Sequence, residues 1–144
     1  MNKFLCCTLL AGLTGVIAAP TLYAQDEHNA LPAATTEGDV SYLSGGIGLD
    51  ESTAMKNAAS QYSLELVFSA KAGANADYLA NVPVKISRPA GKTIIDTVSQ
   101  GPYFLANLPD GNYQIEASRK GVVKTARITL KKGSHQRLVF SWPE

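Results

Sequence analysis

The chain has 144 residues, a formal net charge of +1 and two cysteines, Cys6 and Cys7. A length of this order is enough for one domain with a sizeable core. Cysteines confined to the first turn's worth of chain exclude a disulfide framework, a thiolate metal site and a cysteine nucleophile from everything that follows.

Met1, Asn2 and Lys3 make a short positive start, and Phe4 to Ala19 then run apolar without a charge. Pro20-Thr21-Leu22-Tyr23-Ala24 close the run with a turn and a small residue. This is the layout of a secretory signal peptide over residues 1–24, cut between Ala24 and Gln25. The apolar run is 16 residues (4 to 19), short of the roughly 20 that a membrane-spanning helix needs. The protein is therefore expected in the periplasm or secreted, with no transmembrane span in the mature chain.

Residues 25–39 are rich in Ala, Thr, Asp and Glu and show no periodicity, which reads as a flexible acidic leader. Residues 40–61 read as a Gly-rich turn and a short helix. Val40 to Leu43 form a short strand, Ser44-Gly45-Gly46-Ile47-Gly48 turn the chain, and Asp50 to Ser60 carry a Met55, Ala58, Ala59, Tyr62 stripe. Backbone N–H groups of such a turn, placed before a helix, suit an anion.

From Tyr62 the period becomes two. Tyr62, Leu64, Leu66 and Phe68 alternate with Ser63, Glu65, Val67 and Ser69, and Val82, Val84 and Ile86 with Pro83, Lys85 and Ser87. Pro83 belongs at an edge or a strand start. Strands follow over Lys92–Ser99, Tyr103–Asn107, a run with Tyr113, Ile115 and Ala117 on one face, Val122–Leu130, and a last run with Leu138, Phe140 and Trp142 inward. Gly, Pro, Asn and Asp turns separate them, and Lys132-Gly133-Ser134 reads as a hairpin between the last two. The expectation is an all-β, seven-stranded antiparallel Greek-key sandwich with one short N-terminal helix.

Leu108-Pro109-Asp110-Gly111-Asn112-Tyr113-Gln114-Ile115 has the form L-P-x-G-x-Y-x-[IV]. Leu79 to Ile86 enters a strand through Val82-Pro83-Val84-Lys85-Ile86. Together with turns at Gly91 and Gly101, these resemble the carboxypeptidase regulatory-like domain over residues 62–144, which implies a transthyretin-like, prealbumin-like sandwich. The residues give a physical reason for the element. Pro109 presets the turn, Gly111 takes a positive φ, and the Tyr113 hydroxyl reaches back to the loop backbone in a tyrosine corner. Transthyretin relatives include a hydrolase with clustered histidines and an arginine and a Tyr-Arg-Gly-Ser-type end. This chain ends Phe140-Ser141-Trp142-Pro143-Glu144 and lacks that set.

No catalytic residue, metal ligand or cofactor site is read from the sequence. His28 lies in the leader and His135 in a turn beside Ser134, with no carboxylate cluster near either in sequence. Charge is the remaining signal. Asp26, Glu27, Glu37, Asp39, Asp50 and Glu51 open the mature chain, and Arg119, Lys120, Lys124, Arg127, Lys131, Lys132 and Arg137 close it with no acid interspersed. Those seven are the candidate binding residues, expected to form one positive band across adjacent strands. The expected partner is a protein or an anionic envelope glycan or lipid, and not nucleic acid, because no aromatic platform is interleaved with the cations. The expected function is a non-catalytic periplasmic or secreted binding or accessory module recognising a protein or envelope glycan. The alternative is a structural envelope or surface-appendage component, with an enzyme of undetected site ranked third.

Overall fold

The computed structural model describes residues 31–144, so the expected signal peptide and the expected cut between Ala24 and Gln25 lie outside the described residues. In chain order the elements are β1 (Thr35–Glu37), β2 (Val40–Gly45), α1 (Leu49–Ala58), β3 (Leu64–Ala72), β4 (Asn75–Tyr78) and β5 (Val82–Ser87). They continue with β6 (Thr93–Ser99), β7 (Tyr103–Asn107), β8 (Gly111–Arg119), β9 (Val122–Leu130) and β10 (Gln136–Pro143). One sheet runs β1-β2-β7-β3-β10, with β4 also pairing β3, and the other runs β6-β5-β8-β9.

Alternation explains how the two sheets close on each other. Leu64, Leu66 and Phe68 of β3, Phe104 of β7 and Phe140 and Trp142 of β10 meet Val84, Ile86, Tyr113, Ile115, Ile128 and Leu130 of the facing sheet. The outer face of the first sheet is not left to solvent. Met55 and Ala58 of α1, with Ala59, cover Leu43, Val67, Tyr103 and Leu105. β3 is therefore buried on both faces from Leu64 to Ala70, and Glu65 and Ser69 are buried with it.

The β-sandwich with one short helix is the expected fold, and its detail is richer. Among the described residues ten strands form rather than seven, and β10 runs parallel to β3, from Gln136↔Leu64 to Pro143↔Lys71. The turn at Lys132-Gly133-Ser134 is no hairpin. It carries the chain from one sheet to the other, so β9 and β10 are not hydrogen-bonded neighbours. The leader is shorter than expected, because Thr35–Glu37 pairs with β2 and Leu31 packs beside α1. Residues 40–61 are part of the sandwich rather than a prelude to it, since β2 lies between β1 and β7.

Two local readings are met in detail. Pro83 is the second residue of β5, ahead of the first β5–β8 pair, Val84↔Ala117, so its missing N–H costs that ladder nothing. The Tyr113 hydroxyl donates to the Pro109 carbonyl at 2.5 Å, and Gly111 has φ 148°. Arg88 lies 5.5 Å from the Tyr113 ring centre, closing the corner from outside.

Candidate functional site

The β8–β9 hairpin carries most of the cations. Its turn is Lys120-Gly121, with φ 47° and 78°, the two positive values of a type I′ connection. In a two-residue hairpin the flanking pair, here Arg119↔Val122, exchanges both backbone hydrogen bonds. With period two, Val123, Thr125, Arg127 and Thr129 then turn their N–H and C=O away from β8. β9 ends its sheet, so no strand receives them. The Gln136 side chain donates to the Thr129 carbonyl at 2.7 Å. Val123, Thr125 and Arg127 are left without a backbone partner among the described residues.

The seven sequence candidates do not gather into one band. Arg119 and Lys120 sit at one end of the hairpin, and Lys131 and Lys132 at the other, about 30 Å away for a nine-residue strand. Lys124 pairs with Ala117 in the inward row, whereas Arg127 pairs with Gln114 in the outward row, so they project on opposite faces of β9. Arg119 donates to the Pro143 carbonyl at 3.1 Å, and Trp142 Nε1 to the Val122 carbonyl at 3.0 Å, which ties the β9 and β10 ends together. Arg137 lies on the other sheet altogether. Five candidates thus lie on or beside β9 and Arg119 at the end of β8, and none of the six has a carboxylate within ion-pair distance among the described residues.

A groove of about 420 Å³ runs over the outer face of β8 and β9, lined by Pro89, Asn112, Gln114, Arg127 and Thr129 among others. Arg127 Nε donates to Gln114 Oε1 at 3.3 Å, and Thr129 Oγ1 to Asn112 Oδ1 at 2.7 Å. Among the described residues the terminal guanidinium nitrogens of Arg127 and the Asn112 amide nitrogen make no further hydrogen bond.

The sequence missed a second polar cluster, on the outer face of the first sheet. The parallel register sets Arg137 opposite Glu65, with Arg137 Nε 3.3 Å from Glu65 Oε1. His135 Nε2 lies 3.5 Å from Glu65 Oε2, and its Nδ1 lies 2.7 Å from the Tyr62 carbonyl. His135 is therefore not isolated. Its carboxylate comes from a strand 70 positions upstream (135 minus 65), a proximity that sequence spacing does not display. Beside the cluster, burial first, and then the Tyr78 hydroxyl, push Tyr103 up to about 12.

The turn before α1 behaves as an anion site that is already filled. Glu51 of the same chain accepts from the Gly46 N–H at 2.6 Å and the Ile47 N–H at 3.4 Å. Among the described residues no group of three or more His, Cys, Asp or Glu side chains is placed to hold a metal ion. No helix among them is long and apolar enough to cross a membrane.

No protein-family model matches the chain, and no curated protein matches it. Among solved structures it is similar to the 5-hydroxyisourate hydrolase of Klebsiella pneumoniae, at 21% identity and a TM-score of 0.39, over 55% of this chain and 89% of that one. The expectation that the chain is not an enzyme is accordingly withdrawn, since the protein it is similar to is a hydrolase. No activity is taken from this likeness.

Proposed function

We propose that this chain is an exported binding or accessory module of the cell envelope, periplasmic or secreted, that recognises a partner protein through the open edge of β9. Its sandwich is read as a carboxypeptidase regulatory-like domain, on the Leu108 to Ile115 element and the Pro83 strand entry. The observation that carries the reading is the β9 edge itself, where, among the described residues, three successive outward-facing residues lack a backbone partner and the flanking cations lack an acid. An unpaired strand edge is a template for another strand, and main-chain hydrogen bonds supply affinity in that mode. The test is capture from an envelope extract on the immobilised exported protein, against the Lys124→Glu, Arg127→Glu double variant. A discrete protein retained by the wild type and lost with the variant supports the reading. Identical retention by both, or none by either, removes it.

The groove over β8 and β9 favours a second reading, an anionic envelope glycan. Arg127, Asn112 and Thr129 present the planar and hydroxyl groups that hydrogen-bond sugar hydroxyls and carboxylates. Asn112→Ala distinguishes the two, since it alters the groove and leaves the strand edge untouched.

A further inference from the structure

We infer that the β9 edge takes an extended, acidic peptide segment, added as a further strand alongside Val123 to Arg127. This rests on the protein-binding reading above and specifies what the partner must present. Natural edge strands are blunted by bulges, prolines, shortness, a covering element or charged side chains, lysine above all. The other open edges of this sandwich show such devices. β1 is three residues long, β5 and β6 shift register between Ile86 and Ser87, and β10 reaches Pro143. β9 has no bulge, proline or neighbouring strand on its outer side, pairing with β8 without a break from Gly111↔Leu130 to Arg119↔Val122, and its one protection is charge, with Lys124 in the inward row and Arg127 in the outward one. Its outer row also keeps Val123 exposed at 60%.

Charge selects the occupant. Lys124 and Arg127 lie on opposite faces of the strand, so an incoming segment meets a cation whichever face its side chains take. A second copy of this chain is a poor occupant. Antiparallel pairing of two β9 strands about Thr125 sets Lys124 against Ala126 and Arg127 against Val123 of the second copy, so the two Lys124 side chains become diagonal neighbours on one face and no carboxylate meets any of the four cations. A segment with acidic side chains at alternate positions satisfies the free backbone groups and the cations together. Lys124 and Arg127 thus keep identical chains apart while admitting an acidic one.

The probe is a capped decapeptide of alternating Thr and Glu, with three comparison reagents. These are the Thr/Lys version, the Thr/Glu version N-methylated at every amide, and the Thr125→Pro protein. Proline at an outward-facing edge position removes a free N–H without taking a bond from β8. Hydrogen exchange at the Val123, Thr125 and Arg127 amides is expected to slow roughly tenfold with the Thr/Glu peptide. That protection is expected to vanish with the N-methylated peptide, with the Thr/Lys peptide and in Thr125→Pro. Equal protection by the N-methylated peptide shows charge attraction without strand addition and overturns the inference. So does protection on β6 instead of β9, or self-association of the protein that protects the same amides. Should Thr125→Pro fail to fold, the N-methylated peptide still decides. No protection by the Thr/Glu peptide sinks the acidic strand but leaves the envelope capture to judge the broader reading.

Discussion

Gly101→Ala tests whether the link between the two sheets is as tight as its geometry implies. Gly101, in the connection from β6 to β7, is buried and has an ordinary φ, so an added methyl meets no backbone penalty of its own. The obstacle is Gly45 at the end of β2. A Cβ on Gly101 would lie 2.5 Å from the Gly45 carbonyl carbon and 2.9 Å from its Cα, and closer still to its oxygen. Carbon atoms in contact prefer about 3.5–4.0 Å, so the backbone must move by roughly 1 Å. Both partners are main chain, and neither swings aside. The Gly45↔Tyr103 pair, the Gln100 N–H bond to Ser44 Oγ and the Gly46 bond to Glu51 all lie in the path of that movement. Overpacking costs about 1–3 kcal/mol, and opposed backbone places this case near the top, about 2–3 kcal/mol. For a fold of this size that is a fall in Tm of roughly 10 °C. Thermal unfolding by circular dichroism is the assay, with Gly73→Ala beside it. Gly73 has φ 59° and open space around its Cβ, so only the left-handed backbone is penalised, by about 1–2 kcal/mol. A Gly101→Ala Tm within about 2 °C of wild type, or above that of Gly73→Ala, refutes the steric argument.

Three further outcomes follow from the polar groups. Tyr113→Phe removes the hydrogen bond to the Pro109 carbonyl and is expected to lower stability by about 1 kcal/mol in urea denaturation, with an unchanged m-value. Glu65→Gln leaves Arg137 and His135 without their carboxylate on the buried side of the cluster, and is expected to cost about 1–2 kcal/mol by the same measurement. Tyr103 holds its proton up to about 12 in the fold, whereas the unfolded phenol loses it near 10. The unfolded state therefore binds fewer protons across that window, so stability is full below about pH 10 and falls as pH rises through about 12. That alkaline slope should flatten in Tyr103→Phe.

Much of the sandwich was legible because alternation reports which way a side chain points. Leu64, Leu66 and Phe68 face the core as their spacing requires, and Met55, Ala58 and Ala59 cover a sheet as theirs does. Alternation does not report what lies on the other face or alongside. Glu65 falls in the row that a one-sided sheet would give to water, yet it is buried, with Arg137 and His135 against its carboxylate. Lys124 belongs by period to the inward row and is half-buried at an open edge, so reading it with Arg127 as one surface failed. The pairing of β10 with β3 rests on a choice between sheets, supported by the aromatic packing of Phe68, Phe140 and Trp142 and by the contacts of His135, just before β10, with Tyr62 and Glu65. For the candidate site, the sequence supplied the cations of β9. The topology supplied what the pattern could not, namely that β9 ends its sheet.

The parallel ladder between β3 and β10 has a kinetic consequence. Gln136 and Leu64 are 72 positions apart (136 minus 64), whereas β8 and β9 meet across a two-residue turn. Closing the longer loop carries about 3 kcal/mol more chain entropy than closing the hairpin. The β8–β9 hairpin thus has every reason to form early, and the first sheet to be sealed late, after its central strands are already paired. Trp142 is the chain's one tryptophan, and it becomes enclosed only with that last strand, 6.5 Å from the Phe68 ring. Its fluorescence during refolding should therefore report the end of the process, lagging behind the far-ultraviolet signal of the strands that assemble first.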